Sequence, residues 1–581
     1  MLIDKVNSPE DIKAFSTEQL NTLAAEIRMG MMNRLSKKGG HFGPNFGFVE
    51  ATIALHYVFH SPIDKIVYDV SHQCYSHKML TGRKDGFFCD EHFGAVSGYT
   101  NPEESAHDFF QVGHTSTAVS LACGLAKGRD LKGDKENIIA VVGDGSLSGG
   151  EALEGIDFAS ELESNLIIVV NDNDMSIAEN HGGLYKNLQQ LRDSNGTCAC
   201  NLFKAMGLDY LYVAEGNDIA SLIAAFESVK DVDHPVVVHV NTVKGRGYQP
   251  AEMRKENWHW CMPFDTETGK SHYTYDGESY EDLTSDYFLQ KMKADERVVV
   301  VVPGVPGVIG FTEEKRKEAG RQFVDVGIAE EHAVAMVSGI AKNGGKPVMA
   351  THSSFFQRTY DQISQDLCIN GDAATLLVNT ASIYGMSDIT HLGIFDIPMM
   401  SNIPNLVYLA PTTCEEYFAM LDWSVEQQDY PVAIRIPCNG VIHTDEAVDK
   451  DYSVLNRYRV KQEGSGIAIL ALGDFYQLGE EVARAVAEQT GVQPTLINPR
   501  YITGLDKDLL EKLTAAHSKI VTLEDGILDG GFGEKIARFY GASDRKVYTF
   551  GFKKEFIDRY CADEVLKANH LTPELIVEEI L

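Results

Sequence analysis

Residues 138–177, IIAVVGDGSLSGGEALEGIDFASELESNLIIVVNDNDMSI, decide how the chain is read. Ile138–Val142 and Leu166–Val170 are unbroken apolar runs rich in β-branched residues, the pattern of parallel strands buried on both faces. Between them Glu151–Ser160 sets apolar residues at helical spacing. The unit is therefore βαβ, with roughly 25 residues between the strands, as one crossover requires. Each strand runs into a polar cluster: Gly143, Asp144 and Gly145 after the first, Asn171, Asp172 and Asn173 after the second. Ligands of open parallel sheets collect just beyond such carboxyl ends.

An Asp and an Asn at neighbouring strand ends offer hard oxygens, suited to Mg²⁺ or Ca²⁺ rather than a soft metal. The glycines let backbone approach a phosphate closely. Either cluster alone is an ordinary turn composition. Together, each closing a strand of one βαβ unit, they point to a cation–phosphate site. Neither GxxxxGK[ST] nor a strand-linked GxGxxG is present, so ATP and NAD readings lose their main support. The pair resembles the thiamin diphosphate signature, GDG followed by NDN. That resemblance implies that Asp144, Asn173 and the backbone carbonyl of Met175 hold Mg²⁺, with Gly145 beside the cofactor's diphosphate.

At 581 residues the chain is too long for one core. Its 44% hydrophobic and 23% charged residues are ordinary for a globular protein. A formal net charge of −33 argues against a nucleic-acid surface and against an anionic membrane. The ten cysteines form no CxxC pair, and the nearest two, Cys198 and Cys200, read as incidental. No apolar run approaches the roughly 18 residues of a membrane span, and the N-terminal stretch lacks a basic start followed by an apolar core. A cytoplasmic location is expected.

Taken in order, residues 1 to about 38 read as helical, with starts at Ser8-Pro9-Glu10 and Ser16-Thr17-Glu18. A glycine-rich loop carrying His41 precedes a buried helix, Val49–Phe59. His72, His77 and His114 follow in loops, and imidazoles are the side chains most easily tuned for proton transfer near neutral pH. The segments GGHFGPNFGFVEATIALHYVF (39–59), YDVSHQCYSHK (68–78), VGHTSTAVS (112–120), the GDG and NDNDMSI pair, VKGRGYQPAE (243–252) and IAEEHAV (328–334), in this order, resemble the 1-deoxy-D-xylulose 5-phosphate synthase family, relatives of transketolase. The similarity runs almost end to end.

The resemblance implies an α/β chain of three successive domains with mainly parallel sheets, a transketolase-like thiamin diphosphate-binding fold. The expected spans are 1–285 for the diphosphate- and Mg²⁺-binding domain, 286–448 for the pyrimidine-binding domain and 449–581 for the C-terminal domain. Thiamin diphosphate and Mg²⁺ are expected between the first two, and a homodimer is expected. His72, His114 and Lys244 fall to the cofactor, and Glu330 to the aminopyrimidine N1′. Phe355 is expected to stack on the pyrimidine with Arg358 near it. His41, His259 and His391 are expected to handle protons and hold the acceptor, with Tyr360 and Arg435 meeting substrate. The implied reaction joins pyruvate, with loss of CO₂, to an aldehyde, glyceraldehyde 3-phosphate in the family.

Three departures stand out. Only His181–Asn201 separates NDNDMSI from FKAMGLDY, where the family carries a long mobile insertion, so a smaller lid is expected. Two arginines that bind the acceptor phosphate in the family read here as Thr380 and Ser401, leaving Arg435. The DGxTH motif reads SDITH, with Ser387 in place of its Asp, Asp388 one position later, and His391 kept. Hydroxyls cannot supply a guanidinium's charge, and losing two of three would weaken a phosphorylated acceptor by about 2–5 kcal/mol. The alternatives are a synthase using another or an unphosphorylated aldehyde, transketolase-type ketol transfer, and a silent regulatory paralogue. In the last domain strands are expected at Ile467–Leu472, Thr495–Asn498 and Ile520–Glu524, a helix at Gln477–Gln489, and a strand-end turn at Glu524–Asp525.

Overall fold

Runs of valine, isoleucine and leucine seed three separate, mainly parallel sheets. The computed structural model describes all residues, 1–581. The chain divides into two units: Met1–Asp276 with Gly327–Ala329, and Gly277–Val326 with Glu330–Leu581.

In the first unit Ser8 and Ser16 each close a capping box, Ser16 with Gln19 at the head of α1 (Thr17–Lys38). The glycine-rich loop then enters α2 (Val49–Val58), buried on nearly every side. The sheet comprises β1 (Lys65–Tyr68), β2 (Ile138–Gly143), β3 (Leu166–Asp172), β4 (Asp209–Val213) and β5 (Pro235–Asn241). Its order is β1-β2-β3-β5-β4, all parallel. Helix α3 (Ala118–Lys132) precedes β2, and α4 (Gly150–Ala159) is the crossover from β2 to β3. Ile139 to Gly143 pair with Ile167 to Asn171, so the two polar clusters end adjacent strands. Burying β2 and β3 completely leaves no alternation in the sequence, which is why both read as continuous apolar runs. In place of a long insertion, α5 (Gly183–Asp193) follows β3 after the loop 173–182.

In the second unit α6 (Tyr280–Ala294) leads to β6 (Val298–Val302), β7 (Phe323–Asp325), β8 (Lys346–His352), β9 (Thr375–Asn379), β10 (Val407–Leu409) and β11 (Val432–Arg435). They form one parallel sheet in the order β10-β11-β9-β8-β6-β7. Helix α7 (Glu330–Lys342) packs against β8. A second sheet, β12-β14-β13-β15-β16, is built from β12 (Arg459–Gln462), β13 (Gly466–Ala471), β14 (Thr495–Asn498), β15 (His517–Ile527) and β16 (Lys546–Phe552), antiparallel only between β12 and β14. One apolar core runs through both sheets, with Val301, Met349 and Tyr408 from the first and Leu470, Ile497 and Ile520 from the second.

Two expectations change. The division at 285/286 falls inside α6, whose Tyr280, Phe288 and Leu289 belong to the core around β6, so the helix goes with the second unit from its first turn. Glu524 and Asp525 are not a strand-end turn but buried residues of β15. Glu524 accepts from the backbone N–H of Phe532 and Gly533, satisfying the first turn of the following helix (Phe532–Tyr540).

Candidate active site

In the first unit the residues expected at a cation and a phosphate gather at the ends of β2 and β3. Asp144 is almost fully buried, and its Oδ2 accepts from the backbone N–H of Met175 at 3.1 Å and from Asn180 Nδ2 at 2.7 Å. Asn173 is buried, and its Oδ1 has no hydrogen-bond partner. Gly145 must be glycine, because a Cβ there would lie 2.8 Å from Ser176 Oγ and 3.0 Å from its Cα. Its bare backbone lets the NDNDMSI turn close on GDG. Lys244, buried, donates from Nζ to the Ser176 carbonyl at 2.5 Å. Burial pushes its ammonium down to about 7 against the pull of Asp144. Burial and the charge of Asp172 push the Asp144 carboxyl up.

Asp172, one residue before Asn173, is built differently. It accepts from Arg192 Nη1 of α5 at 2.8 and 2.6 Å, lies 2.8 Å from His239 Nε2 and takes the Asp174 backbone N–H at 3.1 Å. Burial works to raise this carboxyl, and the His239 and Arg192 contacts outweigh it, holding it below the usual range. Arg192 also reaches Asp174 at 2.7 Å, so α5 is tied to the loop that follows β3.

The histidines sort into two groups. His41, His72 and His259 form one cluster, with ring centroids 4.8 Å (His41–His72), 5.7 Å (His41–His259) and 5.2 Å (His72–His259) apart. Its frame is the pairing of Gly40–His41 with Trp260–Cys261. Asn45 braces it, donating to the carbonyls of His41 and His72 at 2.8 and 2.6 Å. Val70 and Ser71, just before His72, both take positive φ, at 56° and 65°. That conformation is unfavourable for a β-branched residue, and the surroundings must hold it. Asp69 does so in part, accepting the N–H groups of Ser116 and Ala118 at the head of α3. Burial, with Lys244, His72 and His41, holds His259 well below its ordinary value, so this imidazole is neutral. His114, partly exposed, lies in the bend before α3. His77 joins neither His72 nor Asp144 and Asn173. It is buried between His56 at 2.8 Å and Asp108 at 2.7 Å, with Arg83 on the far side of Asp108.

In the second unit Glu330 opens α7 and is buried, with Oε2 lacking any hydrogen bond and Arg358 Nη1 3.8 Å away. Burial raises its carboxyl to about 7. Phe355, on the short helix after β8, sets its ring 5.2 Å from His352 and 5.5 Å from His391. His391 Nδ1 lies 3.0 Å from Asp388 Oδ1, and Thr390 donates to the same carboxylate oxygen at 2.5 Å. The carboxylate displaced by one position in SDITH thus orients the histidine. Thr380 Oγ1 stands 2.9 Å from His352 Nδ1, and Ser401 Oγ is buried with no partner. Tyr360 is exposed, and its hydroxyl donates to Asn402 at 2.6 Å.

Arg435 corrects an expectation. Its guanidinium is 3% exposed and donates to Asp396 Oδ2 at 2.8 Å and to Asp525 Oδ1 at 2.5 Å, so its charge is consumed inside the fold. Placed at the end of β11 and bonded to β15, it joins the two sheets of this unit and is not presented to a substrate phosphate.

Family models match along most of the chain. The 1-deoxy-D-xylulose-5-phosphate synthase model covers residues 3–199, and transketolase models cover 116–284 (thiamine diphosphate binding domain), 278–440 (pyrimidine binding domain) and 456–576 (C-terminal domain). The 1-deoxy-D-xylulose-5-phosphate synthase of Caldanaerobacter subterraneus subsp. tengcongensis is 36% identical, over 100% of this chain and 99% of its own. The chain belongs to the 1-deoxy-D-xylulose-5-phosphate synthase family. A second member, from Pelotomaculum thermopropionicum, is 34% identical over 100% of this chain and 96% of its own. Among solved structures, a Pichia stipitis transketolase aligns over 97% of each chain at 14% identity, with a TM-score of 0.44. As a member of this family the chain is a thiamin diphosphate-dependent enzyme of α/β, transketolase-like build.

Sequence reasoning missed Asn180, Arg192 and His239. Asn180 reads as one more loop asparagine, Arg192 as a surface residue of an amphipathic helix, and His239 as a lone polar residue in a buried strand. Only the fold brings the three to the ends of β2 and β3.

Proposed function

We propose that this chain joins pyruvate to an aldehyde with loss of CO₂, giving a 1-deoxyketose. The observation that carries the reading is Glu330, a carboxyl buried at a helix start, protonatable near pH 7 and with one oxygen unpartnered. Such a group is made to share a proton with a nitrogen of a bound heterocycle. Asn173 Oδ1, buried and unpartnered beside Asp144, fits a hard cation in the same sense. Asp144, Asn173 and the Met175 carbonyl would hold Mg²⁺, and Lys244, His72, His114 and Gly145 the diphosphate, with Phe355 and Arg358 at the pyrimidine. Thiamin diphosphate, when bound, supplies the electron sink that lets a keto carbon act as a nucleophile.

The chain's own groups do the rest. The bond from pyruvate's keto carbon to its carboxylate breaks, CO₂ leaves, and the electron pair closes a bond to the aldehyde carbon. The aldehyde oxygen must gain one proton. His391, oriented by Asp388, is our assignment for giving it, and neutral His259 with His41 would hold the acceptor's oxygens. Tyr360 lies on the segment expected at the substrate.

A second reading concerns the acceptor alone. With Arg435 held by two carboxylates and hydroxyls at Thr380 and Ser401, an aldehyde without a phosphate is favoured. A cytoplasmic homodimer completes the proposal. No helix is long and apolar enough to cross a membrane. The test is CO₂ release from pyruvate with thiamin diphosphate and Mg²⁺, with and without glyceraldehyde 3-phosphate, against Glu330→Ala. Acceleration by the phosphorylated aldehyde supports the family acceptor. Release that only unphosphorylated aldehydes accelerate supports the second reading, and no release sinks both.

A further inference from the structure

We propose that Asn180 is a further residue of the cation–diphosphate site, its amide nitrogen fixing Asp144 and its amide oxygen serving the cation, directly or through a water the cation carries. The inference rests on the cofactor reading above.

The argument begins with which end of the amide faces where. Asn180 Nδ2 stands 2.7 Å from Asp144 Oδ2, the same oxygen that accepts the Met175 N–H, so the amide turns its nitrogen to the carboxylate. Bond lengths then set the amide oxygen about 2.2 Å from that nitrogen, and so within roughly 5 Å of the same carboxylate. This oxygen is shut off from water and has no donor. Asn173 Oδ1, seven positions earlier, is in the same state. Two buried amide oxygens without partners thus accompany one carboxylate, on a segment that also supplies the Met175 N–H to it. Buried acceptors are nearly always satisfied, and a pair left open marks a place for something that brings positive charge. Oxygen-only sites of this mixed kind, carboxylate with amides and a backbone carbonyl, suit Mg²⁺ and Mn²⁺.

The placement of Asn180 is held from both sides. Arg192 ties α5 to Asp172 and Asp174, so the stretch between β3 and α5 is anchored at each end. Lys244, donating to the Ser176 carbonyl, fixes its middle. A residue held this way can meet a ligand at little entropic cost.

Mn²⁺, read by the disappearance of its free paramagnetic signal, is titrated into the full chain with thiamin diphosphate present. We expect Asn180→Ala to weaken Mn²⁺ binding about 10- to 100-fold, with the unfolding midpoint of the cofactor-free protein unchanged. Asn180→Asp separates the two ends of the amide. It keeps an oxygen and loses the donor, so the proposal requires it to bind Mn²⁺ better than Asn180→Ala. If nitrogen alone mattered, the aspartate would set two carboxylates together and bind no better than alanine, and the oxygen's role would be overturned. Wild-type affinity in Asn180→Ala overturns the whole inference. Failure of the wild-type chain to take up Mn²⁺ with thiamin diphosphate overturns the cofactor reading together with it.

Discussion

Asp144 and Asp172 end neighbouring strands of one sheet, both are buried, and they have been given opposite surroundings. Asp172 has a guanidinium, an imidazole and a backbone N–H, and its negative charge is fully answered. Asp144 has neutral donors only, and beside it two amide oxygens face no donor at all. The second unit repeats the contrast. Arg435 bonds a carboxylate oxygen of both Asp396 and Asp525, so the charges of that cluster are answered although Asp525 Oδ2 has no partner, whereas the nearest cation to Glu330 stands 3.8 Å away, beyond hydrogen-bond distance. Clusters complete in charge hold the fold, and incomplete ones are finished by what binds.

The largest expected effect tests the incomplete side. Glu330→Gln should lower turnover by about 10⁴-fold, roughly 5 kcal/mol in the barrier. Stability should move the other way. The carboxyl sits near 7 in the fold against 4.5 in the free chain, so the folded state keeps a proton that the unfolded state releases. Its cost therefore grows as pH rises from 4.5 to 7 and is constant above. Thermal unfolding of the cofactor-free protein should show Glu330→Gln more stable than wild type by about 3 kcal/mol at pH 8 and by little at pH 4.5. A variant less stable at pH 8 would move Glu330 to the complete class.

Arg435→Leu tests the other side. Two carboxylates would be left buried without their cation, at a cost of about 3–5 kcal/mol. The protein should unfold well below the wild-type midpoint, while the preference between phosphorylated and unphosphorylated aldehydes stays as it was. A lost preference for phosphate with an unchanged midpoint would return Arg435 to the substrate.

These contrasts explain what could be read in advance. The βαβ unit and its two polar ends were legible, because a strand buried on both faces must be an apolar run and the ligand-bearing residues interrupt it at once. Val298–Val302 and Thr495–Asn498 were legible for the same reason. The partners of Arg435 lie 39 and 90 positions away, so no local pattern distinguished a phosphate ligand from a buried bolt. Glu524-Asp525-Gly526 has a turn's composition, and only its pairing inside a sheet makes it strand. The positive φ of Val70 runs against its own preference and is imposed by Asp69 and its neighbours. Asp388 was visible as a displaced carboxylate, but its bond to His391 was not.

A smaller effect is expected at Arg192→Leu. Asp172 would keep His239 and lose its guanidinium, costing about 2 kcal/mol of stability. Because Arg192 also holds Asp174, affinity for Mn²⁺ with thiamin diphosphate should fall by about 10-fold. Stability lost with full Mn²⁺ affinity would show that the complete cluster serves the fold and not the neighbouring ligands.

The smallest expected effect is at Asp388→Asn, where a carboxylate belongs to neither class cleanly. Burial works to raise it, and the hydrogen bonds from His391 and Thr390 outweigh that, so it is ionised at neutral pH and holds His391 Nδ1 as a donor. The amide keeps the shape and removes the charge, and it can present either its oxygen or its nitrogen to the ring. Part of the population would then carry the wrong tautomer, and acceptor-dependent product formation should fall by about 10-fold, roughly 1.4 kcal/mol. The proton His391 is assigned goes to the aldehyde oxygen, which plays no part in the loss of CO₂. Release of CO₂ from pyruvate without an acceptor should therefore be unaffected. Equal losses in both steps would mean that Asp388 supports the fold around Phe355 and His391 and not the proton transfer, placing it with the complete clusters.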